Sequence, residues 1–171
     1  MKRALSVFAA VVFLLAAGCE KQSKNPVVTP PPSSFTANLS IDFAQTPMTA
    51  RLTQTDSENF TVQMLSPEIM APLCLTYSAG ACTVSYEGLK FESEPDRFPQ
   101  AEFGALLTQA LTSIMQDIDI QKTYSENIWT YNGIGSRGNF KITRNAESGK
   151  WLSFEVESAG LKIDFSNFDI K

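Results

Sequence analysis

Between Phe35 and Phe43 every second residue is apolar: Phe35, Ala37, Leu39, Ile41 and Phe43 alternate with Thr36, Asn38, Ser40 and Asp42. A period of two sends successive side chains to opposite faces of an extended chain, so the segment predicts a half-buried strand. Met48, Ala50 and Leu52 repeat the pattern after the break at Gln45-Thr46-Pro47, and Phe60, Val62 and Met64 repeat it after the polar turn from Asp56 to Asn59. Leu73, Leu75 and Tyr77 then lead through Ser78-Ala79-Gly80-Ala81 into Val84 and Tyr86. Strands joined by such short polar turns form an antiparallel meander.

The period changes once. From Pro99 to Ile118 the apolar residues are Phe103, Leu106, Leu107, Ala110, Leu111, Ile114, Met115 and Ile118, spaced alternately by three and one. That is one stripe of an amphipathic helix, opened by a proline where helices accept one. Burying its seven large side chains is worth roughly 10–20 kcal/mol gross, so the helix must lie on an apolar surface. Strands resume at Ile128 to Tyr131, Asn139 to Arg144, Leu152 to Glu157 and Leu161 to Phe165, the last continuing toward Ile170. The expected class is α+β and mostly β: about ten antiparallel strands, strongly twisted, with one long helix across the concave face.

The first residues do not belong to this domain. Met1-Lys2-Arg3 precede an apolar run from Ala4 to Ala17 that is broken only by Ser6 and ends at Gly18-Cys19. A basic start, a short apolar core and small residues at the end make a secretory signal, whereas a spanning helix needs roughly 20 apolar residues. Leu15-Ala16-Ala17-Gly18-Cys19 resembles the lipobox that directs a diacylglyceryl group onto a cysteine thiol before cleavage, with Ala16 where a large aliphatic residue is usual. On this reading residues 1–18 are removed, lipidated Cys19 anchors the chain, and residues 19–34, rich in proline, form an extended tether. Its fifteen residues after the cysteine reach on the order of 40 Å. Residues 35–171 form a single domain. Cleavage removes Lys2 and Arg3, leaving 12 basic against 18 acidic residues, a net charge of −6. No basic cluster is present for nucleic acid or anionic lipid, so nucleic acid is excluded as a partner and the expected membrane contact is the acyl anchor. The location that follows is the cell envelope, on the outer membrane of a diderm or the outer leaflet of a monoderm's cytoplasmic membrane.

With the strand and helix order in place, a resemblance emerges. Met64-Leu65-Ser66-Pro67-Glu68 running into Leu73, then Tyr86-Glu87-Gly88-Leu89, and the closing series Phe140-Lys141-Ile142, Glu147-Ser148-Gly149, Leu152-Ser153-Phe154 and Lys162-Ile163-Asp164-Phe165-Ser166-Asn167-Phe168 carry it. Together they make the chain similar to the lipoprotein-localisation-factor superfamily. The resemblance implies a curved sheet, or half-barrel, with a lid helix over an apolar cavity that takes lipid or the acyl chains of other lipoproteins. It implies no catalytic residues and no cofactor. Only the lining character transfers, onto the inward positions Leu39, Ile41, Phe43, Leu52, Met64, Leu75, Tyr86, Leu107, Leu111, Met115 and Phe154. Met70, between Pro67 and Pro72 with Ile69, is expected on a mobile rim. The same residues also read as ordinary core, and methionines at 48, 64, 70 and 115 favour an adaptable lining.

Other chemical signals are weak. Gly133-Ile134-Gly135-Ser136-Arg137-Gly138 matches a dinucleotide fingerprint, but that fingerprint needs a following helix to hold a pyrophosphate, and a strand follows here. The chain has no histidine, which removes histidine-based triads and the usual metal sites that carry histidine. The carboxylate pairs Asp56/Glu58, Asp117/Asp119 and Glu155/Glu157 read as solvated surface. Cys74 and Cys82 flank one hairpin: export favours a structural disulfide, strand parity opposes it, and a bulge at Gly80 would reset that parity. Three roles compete: a tethered carrier of an apolar ligand, an envelope sensor or interaction module on the same fold, and an enzyme, for which the sequence supplies no inventory. The anchor is directly testable. Replacing Cys19 by Ser is expected to block acylation and accumulate uncleaved precursor, because a hydroxyl substitutes poorly for the thiol; metabolic labelling with a fatty acid and the mobility of the product report it, and normal maturation of the mutant excludes the anchor.

Overall fold

The computed structural model describes residues 29–78, 80–93 and 102–171; the expected signal segment, Cys19 and Pro99 lie outside them. Eleven strands form one antiparallel sheet. They are β1 (Phe35–Phe43), β2 (Thr46–Gln54), β3 (Asn59–Ser66), β4 (Cys74–Ser78), β5 (Ala81–Tyr86), β6 (Leu89–Ser93), β7 (Gln121–Ser125), β8 (Ile128–Gly135), β9 (Gly138–Asn145), β10 (Trp151–Val156) and β11 (Leu161–Ile170). The helix α1 spans Glu102–Gln116. Sheet order is β6-β5-β4-β3-β2-β1-β11-β10-β9-β8-β7. The chain thus starts at the centre, meanders to one edge, crosses through α1 to the other edge, and meanders back to pair β11 with β1.

Local chemistry accounts for the turns. Ala44 and Gln45, Glu87 and Gly88, and Glu126 and Asn127 all have positive φ, the signature of two-residue type I′ hairpins whose twist matches that of the strands. Asp56 Oδ1 accepts the backbone N–H groups of Glu58 and Asn59, and Asn145 Oδ1 accepts those of Glu147 and Ser148, so each side chain closes its own turn. Register shifts in β1 opposite β11, in β2 opposite β3 and in β10 opposite β9 are the bulges that bend a sheet. The edges β6 and β7 stay apart, so the sheet is an open half-barrel.

The inward alternants of nearly every strand form one continuous core with α1. Phe35, Ala50, Leu52, Val62, Leu75, Val84, Leu107, Leu111, Ile142, Phe154 and Ile163 have essentially no exposure. The helix ends in a Schellman arrangement: Ile118 N–H donates to Ser113 O and Asp117 N–H to Ile114 O, with Asp117 left-handed at φ 56°. This stops the stripe at Met115 and leaves Ile118, which the spacing places on the helix, 52 % exposed beyond it. The eleven described strands match the expected count of about ten. Leu89–Ser93 and Gln121–Ser125 pair as the two edges, and β7 is exposed at all five positions, so it carries no burial pattern to read.

Gly104 sets the approach of α1 to β4. A Cβ there would meet the Tyr77 hydroxyl and lie 2.9 Å from its Cζ. An extra methyl against a packed ring costs about 1–3 kcal/mol, which outweighs the roughly 0.5–1 kcal/mol gained by replacing glycine within a helix. Gly104→Ala is therefore expected to lower stability in urea denaturation. Adding Tyr77→Phe, which removes the clashing oxygen, is expected to restore part of the loss, and strictly additive effects would exclude the contact.

Candidate functional site

The residues expected to line a ligand site fall into two groups. Leu39, Ile41, Leu52, Met64, Leu75, Leu107, Leu111 and Phe154 are 0–2 % exposed and meet in the seam between α1 and the concave face. Phe43, Met70, Tyr86 and Met115 are partly buried and pack at its borders. Side chains fill the seam in this conformation, so a ligand enters it only if the helix lifts. Exposing Phe103, Leu106, Leu107, Leu111 and Ile114 costs on the order of 10 kcal/mol gross. Opening is therefore feasible only when something apolar covers the stripe in exchange.

Polar contacts hold the helix to both rims from its solvent side. Glu102 pairs with Arg137 in the β8–β9 turn, Gln109 Oε1 accepts Ser136 N–H at 3.4 Å, and Thr112 Oγ1 donates to Ser57 O at 3.0 Å. Thr112 sits opposite the apolar stripe and fastens the helix to the β2–β3 turn. Between these rims a groove of about 780 Å³ runs over the helix, with Phe60, Tyr77, Ala105 and Leu106 among its walls. The Ile69–Met70 rim is a 3-10 turn, Glu68–Met70. Gln63 Nε2 ties it down through Ala71 O at 2.7 Å and Leu73 O at 3.1 Å, and Tyr86 Oη donates to Ile69 O at 3.1 Å.

At the other end of the seam lies a residue that the sequence reading left out. Arg144 is 0 % exposed on the concave face of β9, between Tyr131 and Trp151. It holds the segment before β1: Nη1 donates to Thr29 O at 2.7 Å and to Pro30 O at 3.3 Å. Pro32 is buried, and Ser34 Oγ donates to Gln54 O at 3.2 Å. The end of the expected tether is therefore packed on the domain. A signal for Arg144 was present, because Phe140, Ile142 and Arg144 share one strand parity. Nearby, Gln54 Nε2 donates to Met115 Sδ at 3.1 Å, while Gln54 Oε1 and the indole N–H groups of Trp129 and Trp151 are buried without hydrogen-bond partners.

The remaining candidates resolve by geometry. Gly133 to Gly138 is the β8–β9 hairpin, and a Cβ at Gly133 would lie 2.8 Å from Phe140 Cε1, so close ring packing accounts for that glycine. Asp56 is a turn cap whose carboxyl is held below its ordinary value by the Glu58 backbone N–H and by the Asn59 side chain. Asp117 pairs with Lys122 at 2.6 Å. Among the described residues no group of three or more acidic or cysteine side chains is placed to hold a metal. Cys74 and Cys82 are both free. Pairing from Cys74↔Ser85 to Ser78↔Ala81 runs without a shift, so the two side chains lie on opposite faces.

No family model and no curated protein matches the chain. Its architecture does match solved structures. A conserved protein from Thermus thermophilus aligns with a TM-score of 0.54 at 10 % identity, over 82 % of this chain and 80 % of that one. A LolA-superfamily protein from Nitrosomonas europaea aligns at 0.44 and 12 % identity, over 84 % and 89 %. A DUF1329-family protein from Desulfovibrio piger aligns at 0.44 and 10 %, over 82 % and 86 %. The first establishes a shared fold. The open half-barrel with one helix across its concave face is also the architecture implied by the resemblance to the localisation-factor superfamily.

Burial raises the thiol of Cys82, with the Tyr77 hydrogen bond pulling the other way; burial, then Cys82, raises the Tyr77 hydroxyl well above its ordinary value. The unfolded chain releases these protons near the ordinary values of 9.0 and 10.0, and the folded chain holds them higher. Their contribution to stability is therefore complete below pH 9.0 and disappears as pH rises through the folded values. Denaturation midpoints are expected to fall with increasing pH in that range, and less steeply in Cys82→Ala. A thiol reagent at about pH 8 should modify Cys74 in the native protein and reach Cys82 only on unfolding; equal reactivity would overturn the assigned faces.

Proposed function

We propose that this chain is an envelope lipoprotein, held on a membrane surface by acylated Cys19, that binds or carries a lipid or the acyl chains of other lipoproteins beneath α1. The observation that carries the reading is the construction of the lid. Its whole apolar stripe faces the concave sheet, whereas its attachments to the two rims are polar and lie on the solvent side. Such attachments exchange for water at little net cost, since a typical hydrogen bond contributes only about 0.5–1.5 kcal/mol. An apolar ligand replaces the contacts that the stripe gives up. The membrane contact assigned here is the acyl anchor, and among the described residues no helix is long and apolar enough to cross a membrane. The proposal includes no catalytic step.

One observation favours a second reading. Because side chains already fill the seam, the same fold also suits a sensor or interaction module that carries no lipid.

Native mass spectrometry of the mature chain, together with uptake of a fluorescent fatty acid, separates the two. Leu111→Asp places a carboxylate in the seam at a cost of several kcal/mol unless it is protonated or the lid swings away, and it is expected to abolish binding and lower stability. Gln116→Asp, on the exposed side of the last turn, is expected to cost under about 1 kcal/mol and to leave binding intact. A chain that never carries lipid and takes up no fatty acid, and in which Leu111→Asp only unfolds the domain, excludes the carrier.

A further inference from the structure

The buried polar groups left unsatisfied gather beneath the C-terminal end of α1, and Arg144 is the centre of the imbalance. A guanidinium offers five N–H groups and accepts nothing. Arg144 meets three neutral oxygens: Tyr131 Oη, at 3.2 Å from Nε and 3.0 Å from Nη2, and the carbonyls of Thr29 and Pro30. Among the described residues no carboxylate lies within ion-pair distance of it. The rings of Tyr131 and Trp151, each 5.9 Å from its carbon, stabilise the cation without accepting a hydrogen bond in its plane. A fully buried arginine ordinarily has an anionic partner, because desolvation of the charge is otherwise poorly compensated.

Arg144 opens onto a cavity of about 540 Å³ that it shares with Trp129, Lys122, Asp117, Ile114 and Met115. Lys122 and Asp117 are 2.6 Å apart and cancel, so the net charge of the lining is that of Arg144. Trp129 also lines it, and its indole N–H is buried without an acceptor. Pro30 and Pro31 close the cavity on the remaining side. The opposing influences are Asp117 itself and the carbonyl end of α1; the first is neutralised by Lys122, and at the second the carbonyls of Ser113 and Ile114 are bonded by Ile118 and Asp117.

We infer that this cavity, with Arg144 in its wall, is the subsite for an anionic oxygen group, a carboxylate or phosphate, on the polar end of an amphiphile, and that the Thr29–Pro31 strap covers Arg144 in the closed state. The inference rests on the proposed lipid site. Ile114 and Met115 belong both to the stripe and to the cavity wall, so a hydrocarbon chain lying under α1 leaves its head beside Arg144. An anion replaces two neutral carbonyl acceptors by a charged one, which compensates the desolvated guanidinium as a neutral oxygen does not, and the planar guanidinium suits a two-oxygen acceptor.

Oleate and oleyl alcohol share a hydrocarbon chain and differ in the carboxylate, so titrating both into the mature chain from residue 20, which contains every described element, tests the assignment. Oleate is expected to bind on the order of tenfold more tightly than the alcohol. Arg144→Gln should remove that gap, and Arg144→Lys should retain part of it. Equal binding of both ligands to the unaltered chain overturns the anion subsite and leaves the lipid site standing; binding of neither overturns both. Acetate or inorganic phosphate competing as well as oleate would mean a site for free anions and would overturn the headgroup assignment. Should Arg144→Gln fail to fold, the triple variant P30G/P31G/P32G decides the matter. Loosening the strap is expected to tighten oleate severalfold without affecting the alcohol, and no change in either overturns the proposal.

Discussion

Pairing of β1 with β11 at the centre of the sheet governs everything else in this molecule. Phe35 faces Ile170 and Phe43 faces Leu161 along almost the full length of both strands, and Phe35 stacks on Phe168 with ring centroids 4.5 Å apart. Since the first and last strands occupy the middle, the two outermost strands are consecutive in the chain and the whole width of the sheet apart. The connection between β6 and β7 must therefore cross the open side of the half-barrel, and the only apolar surface along that route is the concave face. An amphipathic helix is the economical solution: it satisfies its own backbone while burying one stripe.

That solution makes the helix both core and cover. Its removal would strand the inward side chains of most strands, yet its attachments to the rims are few, polar and partly exposed. Stability thus depends on the same contact that covers the concave face. The two ends of the seam differ. Near Tyr77 the fit is tight enough for a glycine to be required at position 104, whereas near Arg144 the packing includes a charge, two indoles and the segment that precedes β1.

Much of this was legible in the alternation of residues. Phe35 to Phe43, Met48 to Leu52, Phe60 to Met64 and Leu161 to Phe165 lie between water and core, so burial imposes a period of two on them, and the stripe from Phe103 to Met115 is imposed by the same face at a helical period. The edge strands escaped because their surroundings impose nothing: Gln121 to Ser125 is exposed throughout and pairs only with β8. Ile118 was misplaced because spacing records which face a residue would occupy, not where the backbone leaves the helix, and Asp117 ends it one residue earlier.

By itself the sequence determined the mostly β class, the long helix and which residues turn inward, because each of these follows from periodicity along the chain. Only the tertiary structure decided that the inward residues close on one another under the helix, that Thr112 fastens the lid, and that Arg144 lies buried against Thr29 and Pro30 more than a hundred residues away. Those outcomes depend on which strands become neighbours and at what register. Parity could place Arg144 on the inner face, but its partners come from the opposite end of the chain, brought there by the pairing of β1 with β11.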